Sequence, residues 1–315
     1  MQAIFVNKSK LIVNDQEILL KGVSLPDPYW LRDKEKQEIK ETISLIKDLG
    51  FNTVRIPILP GHFVYHKGFI DKTIKKIADT CLERGLYCIL DWHAIGNPLH
   101  NETRLKEYFH VHNHKKIFWY LADKKIAIQG IKQLSESFGE MPNVIFEIYN
   151  EPCPAEKNVS RLNLSALPFE KWKKIAVELI KIIRENSNNL IIVSSNYWSF
   201  NLKDTAKKPY DKFANIAYSF HCYPLKNNKN WKEMLESLKK FPIVVTEFGY
   251  DTDEKSQYKS SYKNYLKPFI EYLTQKQISW IGWCFSASWR PRIVSKWEPF
   301  KLSEFGKHLL EYLDQ

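Results

Sequence analysis

Two glutamates in this sequence stand where an apolar run stops. Glu151 follows VIFEIYN at 144–150, and Glu247 closes IVVTE at 243–247. Runs of branched and aromatic residues predict buried strands. A carboxylate at the end of a buried strand is costly unless it is paired or takes part in chemistry. Two carboxylates that face one cleft can split a glycosidic bond, because one attacks the anomeric carbon while the other donates a proton to the leaving oxygen.

A structural role is the alternative for both glutamates. Each could be buried as the partner of a cation such as Arg55. Two further acids inside the predicted strands, Asp91 and Glu147, fit such a structural role better, since a buried carboxylate is usually satisfied by a polar or basic neighbour. The types of residue alone therefore leave catalysis and ion pairing open.

The glutamates belong to a regular alternation of strand-like and helical segments. A polar turn between IFV (4–6) and LIV (11–13) predicts an opening hairpin. The strand-like runs lie at 19–25, 52–58, 86–93, 144–150, 190–196, 216–223, 243–249 and 279–286. Amphipathic periodicity predicts helices over 36–49, 71–84 and 171–184, and further helical segments fit 119–138, 231–240, 258–275 and 303–313.

Eight strands that alternate with helices predict a parallel sheet, and eight such units in about 300 residues are what a (β/α)8 barrel requires. An open doubly wound sheet is the alternative, but that fold is expected to carry a glycine-rich phosphate loop. Neither G-x-G-x-x-G nor G-x-x-x-x-G-K occurs among the eleven glycines. We therefore predict a single domain over 1–315, an α/β fold in the form of a (β/α)8 TIM barrel with a short N-terminal β-hairpin.

Polar and aromatic residues gather at the carboxyl ends of the predicted strands, where a barrel builds its active site. Three long connections, 94–118, 152–168 and 286–301, also follow those ends. The residues are Arg55, Asp91, Trp92, His93, Asn150, Glu151, Asn196, Tyr197, Trp198, His221, Tyr223, Glu247 and Trp283.

Five ordered segments resemble the signature segments of the family 5 glycoside hydrolases, the (β/α)8 cellulases and mannanases. They are NTVRIP (52–57), LDWH (90–93), IFEIYNEP (145–152), SFHCYP (219–224) and VVTEFG (244–249). The opening hairpin followed by Leu20-Lys21-Gly22-Val23 also looks like the start of those enzymes. The resemblance runs from about residue 4 to the C-terminus, and it implies roles only at the matching positions.

The resemblance implies that Glu151 is the acid/base and Glu247 the nucleophile. Arg55 would hydrogen-bond the nucleophile and keep it ionised, because an opposite charge lowers the pKa of a carboxylate. Asn150 would bind the sugar 2-hydroxyl, a contact that strengthens in the transition state.

The remaining site residues are implied in the same way. His93 would contact sugar hydroxyls next to the cleavage point, His221 would lie near the acid/base, and Tyr223 would lie near the nucleophile. Trp283 would be the platform under the sugar, because an apolar sugar face stacks well on an indole ring.

A retaining endo-β-1,4-glucanase that acts by double displacement is the function this resemblance implies. The alternatives within the family are a β-mannanase and an exo-acting β-glucosidase or mannosidase, because the loops that set specificity carry little signal. A carbohydrate-binding barrel without catalysis is a third hypothesis. The mechanism needs neither a metal nor an organic cofactor, and we expect a monomer whose partner is a β-glucan or related polysaccharide or oligosaccharide.

Charge and cysteine content bear on partners and compartment. The net charge of +11 suggests nucleic acid as a partner, but the lysines are interleaved with acids and no nucleic-acid motif occurs. No apolar stretch approaches the ~18 residues of a membrane span, and no signal peptide is visible. We expect a cytoplasmic protein, or a secreted one if a signal peptide has been removed. The five cysteines form no regular pattern, which favours free thiols, although a Cys81–Cys88 disulfide stays open.

Two weaker patterns suggest a function but have a structural explanation as well. His110, His112 and His114 alternate along one segment and so suggest a metal site, but no acidic or cysteine partner is near in sequence, and we favour a surface or cleft-lining role. Five aromatic residues could line sugar subsites or equally pack in the core: Trp30, Trp92, Tyr197, Trp198 and Trp289.

Overall fold

Eight parallel strands form a closed barrel in a computed structural model that describes residues 1–154, 167–225 and 229–314. In chain order they are β1 (Lys21–Ser24), β2 (Thr53–Ile58), β3 (Tyr87–Trp92), β4 (Val144–Glu147), β5 (Ile191–Val193), β6 (Ile216–Cys222), β7 (Ile243–Phe248) and β8 (Ser279–Gly282). Each strand pairs with the next in the chain, and β8 closes the barrel on β1 with Trp280 opposite Lys21. The predicted (β/α)8 barrel and its eight strands are confirmed.

Helices cover the outside of the barrel, so the strands are buried on both faces. Every residue of β2, β3 and β7 is buried, which is why these strands are continuous apolar runs in the sequence. The helices are α1 (Pro28–Asp33), α2 (Ile39–Asp48), α3 (Pro60–Tyr65), α4 (Lys75–Glu83), α5 (Lys124–Phe138), α6 (Phe169–Arg184), α7 (Leu202–Lys207), α8 (Trp231–Ser237), α9 (Lys267–Lys276) and α10 (Glu304–Leu310). Single π-helical turns at Ile70–Ile74 and Tyr262–Leu266 precede α4 and α9.

The bottom of the barrel is closed by the predicted N-terminal hairpin. Its strands Phe5–Asn7 and Lys10–Val13 are joined by a third short strand, Gln16–Glu17, which the sequence pattern did not predict. Ile4 and Leu11 pack with Leu20 and the lowest inward-facing residues of the barrel strands. The hairpin therefore seals the apolar interior at the end of the barrel away from Glu151 and Glu247.

The long connections at the opposite end contain secondary structure of their own. Residues 94–118, expected as a loop, contain Ile95–Asn97, Glu102–Thr103 and a hairpin formed by Phe109–His112 and Lys115–Phe118. Val294–Lys296 in the last connection pairs with Lys301–Leu302. Most of the connection 152–168 lies outside the described residues.

Within the described part of the chain, the model contains no helix both long and apolar enough to cross a membrane. All five cysteines are buried free thiols, so the disulfide left open for Cys81 and Cys88 does not form.

Candidate active site

Arg55 lies at the centre of the upper barrel and is fully buried. Its Nε donates to Glu147 Oε2 at 2.6 Å, and its Nη1 donates to Glu247 Oε1 at 2.8 Å. Its Nη2 donates to Asn150 Oδ1 at 2.7 Å and lies 3.0 Å from Asp91 Oδ2. Burial by itself lowers the pKa of Arg55, but the three surrounding carboxylates raise it well above its ordinary value. One guanidinium thus holds four side chains that come from β3, from β4 and the segment after it, and from β7.

The structural pairing predicted for Asp91 and Glu147 is confirmed by these contacts. Asp91 also accepts a short hydrogen bond from His93 Nδ1. Burial raises the pKa of Asp91 to about 7, although the charge of Arg55 acts in the opposite direction. Both acids hold neighbouring side chains in place rather than facing the cleft.

Glu247 is held from two sides near the end of β7. Besides the Arg55 contact, its Oε2 accepts a hydrogen bond from the Tyr223 hydroxyl at 2.8 Å. Burial raises the pKa of Glu247, while Arg55 and the Tyr223 hydroxyl lower it. The expected ion pair between Arg55 and Glu247 is present, and Arg55 lowers the pKa of Glu247 as predicted. The net shift is nevertheless upward because desolvation outweighs the ion pair.

Glu151 has a different environment, and this separates it chemically from Glu247. It lies in the two-residue strand Glu151–Pro152, which pairs with Ile95–Asn97 above the barrel. Its Oε1 lies 3.0 Å from Nδ1 of His221. Burial and then the charge of Glu247 raise the pKa of Glu151 well above its ordinary value. Among the described residues, no guanidinium hydrogen-bonds Glu151 in the way that Arg55 bonds Glu247, so Glu151 is the carboxyl that retains a proton more readily.

A hydrogen-bonded chain inside the barrel runs from His221 back to the Arg55 cluster. His221 Nε2 lies 3.0 Å from the Thr246 hydroxyl, which contacts the Ser219 hydroxyl at 2.5 Å. Ser219 in turn donates to Glu147 Oε1 at 3.2 Å. Burial is the main cause that lowers the pKa of His221 well below its ordinary value, and the positive charge of Arg55 acts in the same direction. The imidazole of His221 is therefore neutral.

The irregular pairing of β6 with β7 makes this series of hydrogen bonds possible. The register shifts between Phe220 and His221, and it shifts again on the β7–β8 side between Val245 and Phe248. Neighbouring residues on a regular strand face opposite sides, yet Thr246 and Glu247 both reach polar groups of the barrel interior. A bulge re-aims side chains in this way.

His93 and Trp283 form a parallel stacked pair beside the glutamates, with ring centroids 5.4 Å apart and planes 1° apart. Burial, followed by the charge of Arg55, lowers the pKa of His93 to about 3, so this ring is also neutral. Trp289 lies 5.8 Å from Trp283, and Trp30 lies 6.1 Å from Trp289, centroid to centroid. A wall of indole rings therefore leads away from the glutamates along the rim.

The structure brings all eight predicted site residues into one network of contacts. Trp92 does not belong with them: it is fully buried beside Phe63, so the suggestion that it lines a subsite is wrong. Tyr197 is half-exposed on the rim, and Trp198 lies against Arg104. Ser219 and Thr246 were missed by sequence reasoning, because a hydroxyl inside an apolar strand carries no distinguishing signal.

The Thr246 hydroxyl generates a prediction about stability. We expect Thr246→Val to lower the free energy of unfolding by about 1–3 kcal/mol, because polar groups of Ser219 and His221 stay buried without this partner. Thr246→Ser keeps the hydroxyl and should recover most of the loss. Urea denaturation at pH 7 measures both variants. Equal stability of the valine and serine variants would contradict the proposed role of the hydroxyl.

A family model described as cellulase, glycosyl hydrolase family 5, matches residues 11–288. Curated relatives include an endoglucanase of Clostridium saccharobutylicum, 24% identical over 86% of this chain and 54% of that protein. A cellulase of Thermoanaerobacterium is 26% identical over 84% of this chain and 65% of its own length. The chain thus spans between about half and two thirds of the length of these relatives.

Solved structures of similar fold include a β-glucanase from Saccharophagus degradans in complex with cellotetraose, with a TM-score of 0.83 and 24% identity over 99% of this chain and 93% of that one. The catalytic domain of an endoglucanase from Thermobifida fusca has a TM-score of 0.78 and 21% identity over 99% and 97%. At these identities the structural likeness shows the fold, whereas the family model spans most of the sequence. The chain belongs to glycosyl hydrolase family 5.

Proposed function

We propose that this protein is a retaining endo-β-1,4-glucanase that cleaves β-linked glucans by double displacement. The observation that carries the proposal is the spacing of two carboxylates: an oxygen of Glu151 lies within 4.8 Å of an oxygen of Glu247. Retaining glycosidases place their carboxyl groups about 5–5.5 Å apart, whereas inverting enzymes need about 6.5–9.5 Å to admit a water molecule. The spacing supports direct attack by one glutamate.

In the first step, a carboxylate oxygen of Glu247 forms a bond to the anomeric carbon. The bond from that carbon to the leaving oxygen breaks, and the proton of Glu151 moves to the leaving oxygen. Glu151 is suited to this role because burial and the charge of Glu247 raise its pKa, which favours the protonated form. Glu247 is suited to attack because Arg55 and Tyr223 stabilise its charge.

In the second step, Glu151 acts as a base. It removes a proton from a water molecule, whose oxygen attacks the anomeric carbon and releases Glu247. The neutral His221, 3.0 Å from Glu151 and 3.5 Å from Glu247, orients both groups without adding a charge. Asn150, whose amide oxygen is occupied by Arg55, presents its NH2 as the donor for a sugar hydroxyl.

The choice of β-glucan as substrate is supported by the names of relatives and by the aromatic wall. The similar proteins are endoglucanases, a cellulase and a β-glucanase that binds cellotetraose. Trp283, Trp289 and Trp30 follow one another along the rim, and indole rings stack on the apolar faces of equatorially substituted sugars. A row of rings suits a chain of several sugars and therefore internal cleavage.

Substrates with good leaving groups can show which glutamate is the acid and which is the nucleophile. In Glu151→Ala, glucan hydrolysis should fall by about 10²–10⁴-fold because the general acid is lost. An aryl cellobioside with an acidic phenol needs no protonation, so this variant should still release a burst of phenol. Glu247→Ala should lose both reactions. Stopped-flow measurement of phenol release follows the burst in each variant, and Glu254→Ala, at an exposed glutamate, is the control. A burst from Glu247→Ala but not from Glu151→Ala would reverse the two roles.

Tyr223 generates a prediction about pH dependence. Its hydroxyl donates to the ionised form of Glu247, so Tyr223→Phe should raise the pKa of Glu247. Activity needs Glu247 ionised, and the acid limb of kcat/KM should therefore move to higher pH by about one unit. Tyr312→Phe removes a tyrosine hydroxyl that is hydrogen-bonded to Tyr262, between the end of α10 and the π-helical turn before α9, and should leave the profile unchanged. An unshifted acid limb in Tyr223→Phe would contradict the role.

Specificity is tested on a panel of soluble β-glucans, β-mannans and aryl glycosides, with NMR of the first product formed. We expect β-1,4-glucan to be the best substrate, internal cleavage to yield several oligosaccharides, and the new reducing end to appear first as the β-anomer. Preference for mannan, or release of single sugars from chain ends, would favour the alternative specificities. If no substrate is hydrolysed, the result would favour the third hypothesis, a carbohydrate-binding barrel without catalysis.

A further inference from the structure

Three histidines converge on the rim of the barrel, outside the proposed catalytic pair. His62 and His66 lie four residues apart in and just after helix α3, and His110 comes from the hairpin strand Phe109–His112. One ring nitrogen from each of the three lies within 4.8 Å of the other two. His62 is buried, and the other two are half-buried. Histidines at i and i+4 share one face of a helix, the spacing at which two imidazoles bind one zinc ion.

The distances among the rings fit a metal ion. Nδ1 of His62 lies 3.0 Å from Nε2 of His110. Two nitrogens bound to one tetrahedral zinc, at about 2.0–2.1 Å each, are about 3.3–3.4 Å apart. Only a small outward shift of the half-buried His110 would therefore place an ion between these two atoms.

Asp27 supplies the outer contact that metal-binding histidines usually have. Its Oδ2 lies 2.5 Å from Nε2 of His62, while its Oδ1 accepts from the backbone N–H of Tyr29. The carboxylate therefore holds the proton of His62 on Nε2 and leaves the lone pair of Nδ1 facing His110 and His66. A carboxylate bonded to the far nitrogen fixes tautomer and ring orientation in this manner.

Aromatic rings hold two of the histidines in place. Tyr65 stacks on His110 at 4.6 Å, and Tyr29 contacts His66 at 4.5 Å, centroid to centroid. These contacts keep the two half-buried imidazoles beside His62.

We infer that His62, His66 and His110 form a binding site for a divalent first-row transition metal such as Zn²⁺, with Asp27 as its outer partner and a water molecule in the fourth position. The site is separate from hydrolysis and does not depend on the proposed function. It would tie the hairpin Phe109–His112 and Lys115–Phe118 to helix α3. Among the described residues the other group of three with suitable spacing is Glu151, His221 and Glu247, which is the proposed catalytic site.

Calorimetric titration of the chelator-treated protein with Zn²⁺ tests the site, with Co²⁺ absorption as a report on nitrogen ligands. The titration is made on the Glu151→Gln, Glu247→Gln double variant, so that ions bound between the glutamates do not contribute. We expect one Zn²⁺ per chain, and at least a 10-fold weaker Kd in His66→Ala and in His110→Ala. Asp27→Asn keeps an oxygen for Tyr29 and should weaken binding about 10–100-fold.

His114→Ala is the matched control, because His114 is exposed at the turn of the same hairpin and should leave Kd within twofold. Zn²⁺ should also raise the Tm of the wild-type chain and of His114→Ala, and it should raise that of His110→Ala much less. Absence of binding in the double variant, or equal binding by the His66→Ala, His110→Ala and His114→Ala proteins, would overturn the inference. The titrated double variant and the wild-type chain both keep all three histidines. Their Zn²⁺ binding and Tm therefore test the site even if a histidine variant folds poorly.

Discussion

The guanidinium of Arg55 is the charge around which the upper barrel is arranged. It is fully buried, and it contacts Asp91, Glu147, Glu247 and Asn150. Each buried carboxylate would be strongly unfavourable alone, and removing one partner of such a cluster costs about 3–5 kcal/mol. Arginine can serve these partners together because its planar fork presents five donors, whereas lysine presents a single point charge.

The two buried glutamates have different neighbours. Desolvation raises the pKa of both, but the guanidinium and the Tyr223 hydroxyl act on Glu247 and not in the same way on Glu151. The neutral imidazole of His221 lies close to both carboxylates and is itself held by Thr246. In the proposed mechanism, two identical side chains serve as acid and nucleophile because only Glu247 is hydrogen-bonded to the buried Arg55.

The connections after β1, β2 and β3 build the rim. Asp27 follows β1, the paired histidines follow Arg55 along the chain, and the hairpin that contributes His110 follows β3. Ring contacts join the two regions: Trp119 lies 6.0 Å from His62 and 6.4 Å from Trp30, in the wall that leads to the glutamates. An ion at the histidines would therefore stiffen the same wall that we propose binds the glucan.

The sequence alone determined the barrel and most of its candidate site. Apolar runs with helical spacing between them predicted every barrel strand, and the residues at the strand ends included both glutamates, Arg55 and Asn150. Strand periodicity is local, and in a barrel the carboxyl ends of all strands meet at one rim, so local patterns were sufficient. Only the tertiary structure decided that Thr246 faces inward, because a register shift between β6 and β7 leaves no mark in the sequence. It likewise decided that His110 meets two histidines almost fifty residues earlier rather than its neighbours in the hairpin, because that contact depends on how a loop folds over a helix.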